Sequence, residues 1–98
     1  MKIDSPEILT IAEATAKVEA ARAKFEAAKQ KEIVAREKRA TAEHKFDFAQ
    51  AWVRQEWNLG RRRAYARRVE GLAVSLAYIY RAELLSAESA LERAIASA

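Results

Sequence analysis

Residues 16–57 read AKVEAAR AKFEAAK QKEIVAR EKRATAE HKFDFAQ AWVRQEW, six successive units of seven. Aligned in this way, and with the residues just upstream, one column holds Ala14, Ala21, Ala28, Ala35, Ala42 and Ala49. A second holds Ile11, Val18, Phe25, Glu32, Arg39, Phe46 and Val53, and a third Lys17, Lys24, Lys31, Lys38 and Lys45. These are the d, a and g positions of a heptad. Apolar a and d residues at this period make a coiled-coil seam, and small d residues let a partner helix approach closely. A period of seven held this long winds a left-handed supercoil.

Working outward, Ser5-Pro6-Glu7 has the features of a helix start: a capping serine, a proline suited to the first position and an acid near the positive end of the dipole. No glycine or proline then interrupts the chain until Gly60, so Asn58-Leu59-Gly60 is the strong stop signal. The expected elements are a helix over about 6–57, a turn over 58–60 and a helix over about 61–97, in one domain spanning 1–98. At about 1.5 Å per residue the helices would be about 78 and 55 Å long. The seam has a fault, because Glu32 and Arg39 fill consecutive a positions. The alternative is a three-helix bundle in which the first helix breaks between about Gln30 and Lys45.

The second helix carries Val69, Ala73, Leu76, Tyr80, Leu84, Ala87, Leu91 and Ile95 on one stripe, closer to an eleven-residue than a seven-residue repeat. Leu72, Val74, Tyr78, Ile79 and Leu85 form a second row, and a helix apolar on two sides has two neighbours. Both flanks of the first helix are basic, which disfavours a parallel homodimer. Folding antiparallel about Leu59 places residue x near 118 − x and sets Glu83, Glu88 and Glu92 among these bases. The fold class is therefore all-α, a long antiparallel helical hairpin. The first helix would overhang the second from Glu7 to Lys17, leaving Ile8, Leu9, Ile11 and Ala14 bare, with Val18 next to them. With Val74, Tyr78 and Leu85 they form the expected oligomer interface of a homodimer, a four-helix arrangement.

Composition rich in Ala, Glu, Lys, Arg and Leu suits long helices. No cysteine is present, so there is no disulfide framework. The opening MKIDSPEIL lacks an apolar core and no stretch is long enough to span a bilayer, so a cytoplasmic, membrane-free protein is expected. The net charge is +4, and it is local: residues 52–68 contain six arginines and one acid. His44 is the one histidine. No metal-ligand cluster, phosphate loop or nucleophile–base pair can be assembled. No enzymatic activity, cofactor, metal or small-molecule substrate is expected.

The candidate partner-binding residues are Arg54, Trp57, Arg61, Arg62, Arg63, Tyr65, Arg67 and Arg68, with Trp52 nearby. Arginine forks grip carboxylate or phosphate, and aromatics anchor interfaces. Arginines in the first turn of a helix oppose its dipole, so fold stability alone does not place them there. An acidic protein partner is the preferred reading because the charge is a compact cluster, and nucleic acid is the alternative. Small secreted hairpins of the WXG type carry Trp-x-Gly in the turn. Here Trp57-Asn58-Leu59-Gly60 is one residue longer and lies past the chain's middle, and Tyr78 and Tyr80 lack the following acid of that family's export signal. The likeness is confined to one turn, and a secreted hairpin or a subunit of a larger hetero-complex is a further alternative.

Overall fold

The computed structural model describes residues 10–98. Among them are three helices and no strand: α1 (Ile11–Asp47), α2 (Ala51–Glu56) and α3 (Leu59–Ser97). Helices α1 and α3 run antiparallel and pack along their length, and α2 packs against the start of α3. The result is a hairpin of 70 × 24 × 13 Å. None of these helices is long and apolar enough to cross a membrane.

The seam of α1 is where the heptad places it. Ala14, Val18, Ala28 and Ala35 are buried, and Ala21, Phe25, Ala42 and Phe46 are half-buried. Alanine brings the helix axes close, and close axes expel water without large side chains. Accordingly, all but two of the seven buried core residues are alanine.

Three expectations need correction. First, α1 stays continuous through 30–45 but ends at Asp47 and does not reach Trp57. Phe48 leaves the helix, Gln50 is extended (φ −68°, ψ 155°), and a separate short helix follows. No glycine or proline marks this break. The compensation is tertiary: Arg54 Nε donates to the Phe46 carbonyl at 2.7 Å and its Nη2 to Asp47 O at 3.3 Å. One side chain thus occupies carbonyls that the end of α1 leaves without helical partners.

Second, the break resets the register. Arg39 faces Glu70 and Glu43 faces Arg67, so residue x lies near about 110 − x, not 118 − x. The earlier register would have set Arg39 against Ile79 and Glu70 against Phe48, desolvating charges against apolar groups. Removing about eight residues from the arms brings Arg39, one polar residue of the α1 seam, onto Glu70 of α3, while Glu32 pairs with Arg36 of its own helix. It also carries α3 further back along α1. Ala14 (fully buried) and Val18 are covered by α3, so they are not available as an oligomer interface. Ile11 remains exposed; Ile8 and Leu9 lie outside the described residues, as does Ser5-Pro6-Glu7. The N-cap of α1 is Thr10, whose Oγ1 accepts from the Glu13 N–H at 3.1 Å. The expected ion pairs of Glu83, Glu88 and Glu92 with the flank of α1 are not formed among the described residues.

Third, α3 is also heptad-patterned. One row of its covered positions, Leu59, Arg63, Ala66, Glu70, Ala73, Ala77, Tyr80, Leu84, Ala87, Leu91 and Ala94, alternates by four and three, and Val69, Val74, Glu88 and Ala90 beside it are half-buried. Leu76 and Ile95, assigned to the stripe from sequence, face outward. Ala77 and Ala94 are buried next to them, at seam positions that the pattern of large apolar residues does not mark. The turn contains a single left-handed residue, Asn58 (φ 52°, ψ 38°). Asparagine tolerates this conformation. Gly60, expected to supply it, is instead in the first turn of α3.

Candidate functional site

The closed end of the hairpin collects the end of α1, all of α2 and the first turns of α3. Its arginines divide into two groups. Arg54 caps α1, and its guanidinium carbon stands 4.3 Å from the Phe46 ring centroid. Arg63, half-buried, lies over the same ring at 3.7 Å. Cation–π contact of this kind stabilises both groups while their stems exclude water. Arg67 donates to Glu43, and Arg39 donates through Nε to Glu70 at 2.9 Å and approaches Glu43 at 3.8 Å. The hydrogen bond from Arg67 holds the Glu43 carboxyl below the usual glutamate range against some desolvation, helped by the nearby charges of Arg67, Arg39 and Arg63. The hydrogen bond to Glu70 raises Arg39 further above its already basic value. Arg54, Arg63 and Arg67 are thus engaged within the hairpin, Arg67 while still exposed.

Arg61, Arg62 and Arg68 form the second group. All three are exposed and none makes an ion pair among the described residues. Trp57 ends α2 and Tyr65 lies in the second turn of α3, and both are exposed, as a binding role requires. Trp52 is 65 % exposed, with its Nε1–H fixed to Gln50 Oε1 at 2.7 Å. Phe48, absent from the sequence assignment, is 79 % exposed and stacks on His44 at 4.6 Å. The helix break is what turns it outward, and no local pattern announces that break. Of the residues assigned to self-association, Tyr78 and Leu85 are exposed and Val74 is half-buried. No group of three or more His, Cys, Asp or Glu residues among those described could hold a metal ion.

The chain matches no protein-family model, no curated protein and no solved structure.

Proposed function

We propose that this protein is a non-enzymatic interaction module whose closed end docks an acidic protein surface. One observation carries the reading. Phe48, Trp52, Trp57 and Tyr65 are all exposed at one end of the hairpin, alongside Arg61, Arg62 and Arg68, which lack ion-pair partners among the described residues. Exposed aromatics of this size cost solvation free energy in an isolated chain, and Trp, Tyr and Arg are the residues that dominate protein interfaces. In the same reading the chain self-associates as a homodimer, through the exposed Tyr78 and Leu85.

The test is a titration of the tryptophan emission with duplex and single-stranded oligonucleotides at two salt concentrations, beside affinity capture from the native host. No oligonucleotide binding at low salt is expected. An acidic protein should be retained by the intact chain and lost by Arg61→Ala/Arg62→Ala/Arg68→Ala. Oligonucleotide binding that falls steeply with salt and vanishes in the triple variant would transfer the site to nucleic acid.

A further inference from the structure

A second surface lies on one flank of the hairpin, away from the tip aromatics. Here the flank along which α1 and α3 meet carries a groove of about 490 Å³. Its walls are Val34 from α1 and Val69, Leu72 and Leu76 from α3, and its floor is Ala35 and Ala73. Leu72 is 67 % exposed although the hairpin already has a sealed seam beneath it. The charged residues lining the groove are Lys31 and Lys38, with no acid. They belong to the g column of α1, which is lysine at 17, 24, 31, 38 and 45. None of these five makes an ion pair among the described residues. Beyond Lys38 the flank continues into a smaller hollow of about 380 Å³, where Lys45 and Arg62 also lie, with Glu37 the one acid.

We infer that this groove takes one turn-repeating partner: an acidic amphipathic helix from another protein. The dimensions fit. The α1 wall runs from Ala28 to Lys38, about 15 Å at 1.5 Å per residue, which accommodates apolar anchors at i, i+4 and i+7 of a guest helix. Lys31 and Lys38 stand seven residues apart on one side, so two acids seven apart on the guest meet both. A second copy of this chain is the poorer occupant. Groove against groove, its own Lys31 and Lys38 would approach a rim of the same sign, and like charges across an interface are unfavourable. The groove itself shares no residue with the tip, and Arg62 of the tip lines only the smaller hollow beyond it.

The experiment uses the full chain and a fluorescein-labelled helical peptide of roughly 14 residues, with Leu at the anchor positions and Glu on both flanks. A control peptide carries Lys in place of Glu. Anisotropy should show saturable binding of the Glu peptide, weakened about tenfold or more for the Lys peptide, since several exposed ion pairs act together. Lys31→Glu/Lys38→Glu should invert that preference. Leu72→Ser should weaken binding of the Glu peptide with circular dichroism unchanged, and Trp52→Ala/Trp57→Ala should leave it as it was. Equal binding of both peptides, or none up to about 1 mM, a level that signals no specific site, would overturn the inference. So would a dimer in sedimentation that Leu72→Ser converts to monomer, because the groove would then belong to a second copy.

Discussion

From Ala14 to Ala35 the face of α1 against α3 is mostly small and apolar, with Phe25 and Glu32 half-buried among the buried Ala14, Val18, Ala28 and Ala35; from Arg39 to the turn the same face meets α3 through guanidinium, carboxylate and one aromatic ring. The alanine part gains its stability from close contact over many residues. Small side chains permit close approach at more than one offset, so they constrain the register less than paired charges do. The charged part adds little net stability, as partly exposed pairs do, but it has one acceptable register. Hairpins of this kind divide the work: one stretch supplies the attraction and another decides which residues face each other.

That division can be broken at either end. The largest effect is expected in the alanine stretch. Ala35→Leu forces the axes apart, and overpacking of this kind costs about 1–3 kcal/mol. Thermal melting by circular dichroism should fall by several degrees or more, and an unchanged melting temperature would mean the axes are not in close contact. Next comes Arg54→Ala, which strips the cap from Phe46 and Asp47 carbonyls and should cost about 1 kcal/mol. Hydrogen exchange should rise at the end of α1 and in α2 while the alanine stretch is unaffected.

The charged stretch sharpens the comparison by complementation. Arg39→Glu alone and Glu70→Arg alone should each lower the melting temperature, and the double exchange should recover most of the loss. A double variant no better than the singles would show that this pair does not set the register. Acid probes the same region. The folded carboxyl of Glu43 lies below its ordinary range, so its ionised form stabilises the hairpin above about pH 4.3, and that contribution is lost as the pH falls through the depressed folded value. Denaturant melts across pH 6 to 2 should show this loss in the native chain and a smaller one in Glu43→Gln. The smallest effect is a gain. Gly71 is in the interior of α3 with open space where a Cβ would sit, so Gly71→Ala should stabilise by about 0.5–1 kcal/mol.

The alanine column, the all-helical class and the hairpin were legible in the sequence because each rests on periodicity, and period seven is a local property. Thr10-Ile11-Ala12-Glu13 was equally legible as a capping sequence, a threonine with an acid three residues on. The heptad of α3 was obscured because leucine and isoleucine draw more weight than alanine in a hydrophobic pattern. Burial here selects for smallness as well as apolarity. The exposed group of arginines could not be separated from the structural group by sequence, since all are one residue type in one cluster.

The sequence by itself determined that two long helices would form and that one face of the first would be covered at close range: these follow from residue type and spacing within a single helix. Only the tertiary structure decided where α1 stops, which residues oppose which, and which side chains are left for a partner. Those outcomes depend on charges 24 and 31 residues apart finding each other, and on a helix giving up its continuity so that they can. That free-energy exchange is between elements, and no window of sequence contains both sides of it.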